Sequence, residues 1–303
     1  MMKQSRATLN VPPLAMLADE EARRAALHAM RVSARQDVQP ALRRQLRFVR
    51  LKSSVRLTPN MQRVTLEGEG LADFPSGQEG AHIRIMLPHE GQGERDFVDQ
   101  LDHGPHRPLT RTYTVRHHRP EASEIDIDFA LHAHGMACNW ALSAGPGAPL
   151  AIAGPGSKKL TDFSAEWFLL VADMTAIPAA AAVLEEMPRD AVGHAVFEIA
   201  SEQDRQPMMA PLGIDTRWLI NPSPEVPSDL QLEMIRDLPW LSGAPGVFVA
   251  GESGVMKSVR QFLLEEKNVD RKAIYASAYW KIGLHEDQLR KLKDREAAAN
   301  GAG

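Results

Sequence analysis

Six consecutive residues, Arg111-Thr112-Tyr113-Thr114-Val115-Arg116, place two guanidinium groups, an aromatic ring and two hydroxyls on what reads as one short strand. Side chains alternate along a strand, so Tyr113 shares a face with Arg111 and Val115, and Thr114 shares one with Arg116. An aromatic ring can wall a planar ligand, and a guanidinium fork can hold a phosphate. Further on, Gly135-Met136-Ala137-Cys138 opens a helix, whose unpaired amides favour an anion whatever the side chains. A third group, Asp173 and Thr175, follows an apolar strand, where turns line the ligand crevice of a parallel sheet. The histidines at 103, 106, 117, 118, 132 and 134 lack cysteine partners or carboxylates at metal spacing. Neither a nucleophile elbow nor a phosphate-binding P-loop occurs.

The elements that must position these groups follow two grammars. From about Gln45 the apolar period is two, with strands expected over 46–57, 61–68, 81–87, 110–116, 124–132 and 148–154. In the fifth, Ile125, Ile127, Phe129 and Leu131 take one face, and Asp126, Asp128, Ala130 and His132 the other. A helix is expected over 135–144. Short strands separated by turn residues predict a small antiparallel barrel. After Ser157, continuous apolar strands (167–173, 191–200, 216–221, 246–251 and 272–280) alternate with helices at 177–186, 227–238 and 253–266. That alternation predicts a parallel sheet covered on both faces. Residues 14–47, rich in Ala, Leu, Glu and Arg with Asp19 as a candidate N-cap, read as a helical extension that packs on the main fold or on a second subunit. The expected units are therefore 1–45, 46–160, 161–290 and a frayed tail at 291–303.

Bulk properties exclude several classes. The chain has 303 residues, is 44% hydrophobic and 24% charged, and carries a net charge of −4, so nothing global argues for nucleic acid or an anionic membrane. A single cysteine, Cys138, rules out an internal disulfide framework and fits a reducing compartment. No apolar run approaches the roughly 20 residues of a spanning helix, and the N-terminus has no signal-like apolar core. A soluble cytoplasmic protein is expected.

A strand-rich barrel followed by a parallel α/β part resembles the flavin reductases related to ferredoxin–NADP reductase. More closely, the chain resembles the siderophore-interacting proteins, flavin-dependent ferric-siderophore reductases of that superfamily. Four segments carry the likeness: RTYTVR with EIDIDFALHAHGMACNWA, AIAGPGSK, VADMTAIPA, and VAGESGVMKSVRQFL with ASAYWKIG. The third departs from the Gly-Gly-x-Gly run of ordinary flavin–nicotinamide reductases.

The resemblance implies FAD in the barrel and NAD(P)H docked on the second part. It puts Tyr113 and Thr114 on the isoalloxazine, Arg111 on phosphate or ribityl, and Thr112 beside them. Arg116 is open to a surface ion pair. Asp128 and His132 share a strand face and are expected to reach the flavin, with the amides of Ala137 and Cys138 at the pyrophosphate. Cys138 stands where the family has a hydroxyl residue, and packing as a small buried filler is its alternative. Asp173 and Thr175 are expected to border the flavin and the nicotinamide path. Tyr279 and Trp280 stand beside the flavin or fill the core.

The family steers its anionic substrate with a cluster of cations. Arg84 matches one such position. The position after Ala-Gly-Pro is Gly156, with Lys158 and Lys159 following, and a third is Tyr275, with Lys281 nearby. The function so implied is reduction of a ferric siderophore, releasing Fe(II) because the reduced ion is held far more weakly by hard oxygen ligands. The alternatives are another electron acceptor, reduced ferredoxin as donor, or a non-catalytic ferric-chelate carrier.

Overall fold

In the computed structural model, which describes residues 46–89, 91–103, 108–132, 135–158, 160, 162–285, 288, 289, 292 and 295, the period-two segments form one antiparallel sheet. Its strands are β1 (Leu46–Thr58), β2 (Met61–Glu67), β3 (His82–Leu87), β4 (Leu109–Thr114), β5 (His117–Arg119), β6 (Glu124–Ala130) and β7 (Pro149–Ala153). They lie in the order β4-β3-β7-β1-β2-β6-β5. The two edge strands, β4 and β5, are joined by Val115 and Arg116 alone, so the sheet has to curl on itself. The Arg116 amide meets the Asp126 carbonyl at 2.8 Å across the seam. Val49, Leu51, Val64, Ile83, Ile85, Ile125, Ile127 and Phe129 fill the interior, each on the apolar face of its strand.

Two helices interrupt the sheet. Helix α1 (Glu94–His103) falls in a stretch with no sequence expectation. Helix α2 (Met136–Ser143) begins where the sequence places it. The strand expected over 124–132 stops at Ala130. The helical extension expected over 1–45 lies outside the described residues.

The second half forms β8 (Trp167–Asp173), α3 (Ile177–Glu186), β9 (Val192–Ile199), β10 (Gly213–Ile220), α4 (Leu230–Asp237), β11 (Pro245–Glu252), α5 (Ser253–Glu265) and β12 (Ile274–Trp280). All pairings are parallel, in the order β10-β9-β8-β11-β12. Strands β8 and β11 are buried along their whole length, as a sheet covered on both faces requires. Phe168, Leu170 and Ala172 pack under α3, and Leu169, Val171 and Val249 pack with Ile235 of α4 and Val259 of α5. The strand order reverses between β8 and β11, whose carboxyl ends are Asp173 and Glu252. That is where an open α/β sheet forms its ligand crevice.

Asp204, fully buried, fastens the two halves together. Its carboxylate accepts from Thr58 Oγ1 at 2.7 Å, the Asn60 amide at 2.9 Å and Asn60 Nδ2 at 2.8 Å, and from Ser201 Oγ at 2.8 Å. Among the described residues no helix is long and apolar enough to cross a membrane.

Candidate functional site

Strand β4 and helix α2 meet through a run of rings. Tyr113, half-buried, packs on Phe129 with centroids 4.2 Å apart, and Phe129 lies 6.3 Å from Trp140 of α2. Phe129 thus links the strand carrying Arg111 and Tyr113 to the body of the helix. The start of that helix is open: its N-cap is Gly135, and no side chain caps it. A Cβ on Gly135 would sit 2.5 Å from His132 Cε1 and 2.9 Å from Cys138 Sγ, so a larger residue there would push the exposed His132 ring off the turn. An aromatic wall, a guanidinium and uncapped helix amides are the donor set that a planar ring with a phosphate tail requires. Residues of this type and placement fit FAD.

Not every expected residue joins that group. Asp128 points from β6 away from Phe129, and Arg63 holds it bidentately at 2.7 Å through both Nε and Nη2. The expectation that Asp128 reaches the flavin gives way to a charge pair on the outer face. Cys138 is buried, with its thiol turned toward the Ala130 carbonyl at 3.4 Å, and burial raises its pKa. It packs as a filler and offers the helix mouth only its amide. Arg116 is also buried and grips Glu185 of α3 at 2.6 and 3.0 Å, an ion pair between the halves.

Thr114 lies beneath the second half, hydrogen-bonded to the Tyr279 hydroxyl. Burial raises the pKa of that phenol well above its usual value. Beside it, Asp173 is saturated. Its Oδ1 accepts from the Thr175 amide at 2.9 Å and Thr175 Oγ1 at 2.6 Å, and its Oδ2 from the Glu252 amide at 2.8 Å and Trp280 Nε1 at 2.7 Å. A carboxylate has about four lone-pair sites, and all are used. Asp173 and the Thr175 hydroxyl proton are thus committed to each other and to the β11–β12 edge. Burial raises the Asp173 pKa, against the pull of these donors. Trp280 is oriented by this contact.

The expected cations separate. Arg84 is exposed on β3, facing Thr112 of β4 across the ladder. Lys281 is half-buried in the turn after β12. Lys158 does not reach out: it binds Glu186 of α3 and the Gly77 carbonyl at 3.0 Å. Lys159 lies outside the described residues. Gly156 has a physical reason to lack a side chain, since a Cβ there would overlap the His82 ring, 2.2 Å from Nε2. Sequence reading passed over His82, although it stands two residues before Arg84 and so shares its strand face.

A cavity of about 570 Å³ opens between β5 and α3, lined by Glu79, His117, His118, Arg119 and Glu185. It lies beyond the carboxyl end of β4, apart from Tyr113, and its charges are largely paired within the protein. Among the described residues no group of three or more His, Cys, Asp or Glu is placed to hold a metal ion.

Known proteins resemble both halves of the chain. The siderophore-interacting FAD-binding domain family matches residues 50–159, and the siderophore-interacting protein family matches 165–283. The ferric vibriobactin reductase ViuB of Vibrio cholerae is 34% identical over 258 residues, covering 83% of this chain and 94% of that one. The NADPH-dependent ferric-chelate reductase of Escherichia coli is 30% identical over 243 residues, 74% of this chain and 89% of its own. The crystal structure of the siderophore-interacting protein SipS from Aeromonas hydrophila superposes with a TM-score of 0.71 at 33% identity, over 84% of this chain and 99% of that one. With both halves matched in order, the chain belongs to the siderophore-interacting protein family.

Proposed function

We propose that the chain is an FAD-dependent reductase of ferric siderophores, supplied with electrons by NAD(P)H. The observation that carries this reading is that Tyr113 of β4 packs on Phe129, which lies in turn against Trp140 of the uncapped helix α2. Bound FAD would supply the conversion of a nicotinamide's two-electron hydride into single electrons for iron. The chain's residues do the rest. Tyr113 walls the ring, Arg111 and the amides of Met136 and Ala137 neutralise the phosphates, and His132 closes over the helix start. Tyr279 and Trp280 bring the second half against the flavin edge. Arg84 and Lys281 draw in the anionic ferric chelate. The similarity to an NADPH-dependent ferric-chelate reductase supports a nicotinamide donor. The lone, buried Cys138 suits a reducing cytoplasm.

The test is anaerobic. FAD-loaded protein is mixed with NADPH and a ferric siderophore, and Fe(II) is trapped with a chromogenic chelator. Two Fe(II) per NADPH are expected. Flavin that bleaches with NADPH but is never reoxidised by any ferric chelate would refute the reading, and bleaching only with reduced ferredoxin would replace the donor.

A further inference from the structure

The turn that follows β12 is held from outside its own strand. Parallel pairing of β11 with β12 slips between Gly251 and Glu252, leaving Trp280 opposite Glu252. Beyond it, Lys281 and Leu284 close a small bridge, with the Leu284 amide on the Lys281 carbonyl at 3.0 Å. Two carboxylates from other strand ends pin this hook. Asp173 of β8 takes the Trp280 indole N–H at 2.7 Å. Glu252 of β11 takes the Ile282 amide on Oε1 at 3.2 Å, while its Oε2 caps α5 through the amides of Gly254 and Val255. Gly251, at φ 142°, makes this possible, because a Cβ there would lie 2.5 Å from Asp173 Oδ2. Three strand ends thus converge to fix one five-residue turn, and the residue between the two pinned points is Lys281.

We propose that Asp173 and Glu252 are positioning residues for the substrate: they fix the Trp280–Leu284 turn, and through it set Lys281 against the anionic ferric chelate, without touching the flavin. The inference rests on the reading of the protein as a ferric-siderophore reductase with Lys281 at the substrate. Asp173→Asn retains the shape but turns an amide N–H₂ toward two donors, breaking one side of the clamp. Trp280→Phe keeps a ring and removes only the indole donor.

The experiment measures calorimetric affinity of FAD-loaded protein for the gallium(III) complex of a tricatecholate siderophore, which has the ferric complex's charge but accepts no electron. FAD affinity is measured in parallel on the apoprotein. Asp173→Asn and Trp280→Phe should each weaken gallium-chelate binding about tenfold and flatten its salt dependence toward that of Lys281→Ala. Adding Asp173→Asn to Lys281→Ala should cost nothing further. FAD affinity of Asp173→Asn should fall clearly less than its gallium-chelate affinity. Unchanged chelate affinity in Asp173→Asn, full additivity with Lys281→Ala, or an equal loss of FAD affinity would each overturn the proposal. Wild-type protein that binds FAD but no gallium chelate would instead remove the substrate assignment beneath it.

Discussion

Arg111 and Gly135 are proposed to serve the cofactor by different physics, and the difference can be measured. Arg111 contributes a charge-assisted contact, so Arg111→Ala should weaken FAD by about 2 kcal/mol, roughly 30-fold, in a fluorescence titration of the apoprotein. Gly135 contributes space. In Gly135→Ala the new methyl meets His132 and Cys138, which have to move before the helix amides can be approached, and an affinity loss of about tenfold is expected. Cys138→Ser should leave affinity within about twofold, because the side chain faces the Ala130 carbonyl and only the amide serves the helix mouth. A serine Kd that rose as far as the Gly135→Ala value would show the side chain to be a phosphate ligand.

At the scale of elements, β5 and β6 carry a ladder of charges on the barrel's outer face. Lys52 holds Glu124, Arg119 spans Glu124 and Asp126, and His117 and Thr65 complete Asp126. Burial pushes the Asp126 pKa up, but the donors Arg119, His117 and Thr65 outweigh it and hold the carboxyl well below the usual range. A depressed folded pKa gives stability that is complete above the unfolded value of about 3.9 and fades as pH falls through the folded one. Asp126→Asn should therefore cost about 2–3 kcal/mol in urea unfolding at pH 7, and the gap to wild type should shrink below about pH 4. A gap that is constant with pH would mean the charge does not matter. The strand period showed that Asp126 and Asp128 leave the core together. It could not show that Arg63 of β2, four strands earlier in the chain, pairs across the ladder and takes Asp128. Helix α1 escaped notice because its only apolar residues are Phe97, Val98 and Leu101, too few to mark a period, although Phe97 is fully buried.

Across the whole molecule, the two halves are tied by contacts that local pattern does not reveal. Asp204 reaches Asn60 over 144 positions of sequence, Arg116 grips Glu185, and Lys158 turns to Glu186. The antiparallel sheet and the parallel sheet were legible because period is local, and Arg111 to Thr114 fall on one strand for the same reason. The destinations of Lys158, Asp128 and Asp173 were not legible, since Glu186, Arg63, Glu252 and Trp280 come from elements distant in sequence. Hydrogen bonds from Asn60, Thr58 and Ser201 hold the Asp204 carboxyl below its ordinary value against the upward push of burial. Asp204→Ala should cost about 3 kcal/mol and split calorimetric unfolding into two transitions, while wild type melts in one. A single unshifted transition in the variant would deny the latch. The most direct test of the account as a whole is a crystal of the protein grown with FAD. Its isoalloxazine should lie on Tyr113, with the pyrophosphate between Arg111 and the Met136–Ala137 amides. A crystal in which that groove is filled by the protein's own side chains, with FAD bound elsewhere or not at all, would contradict it.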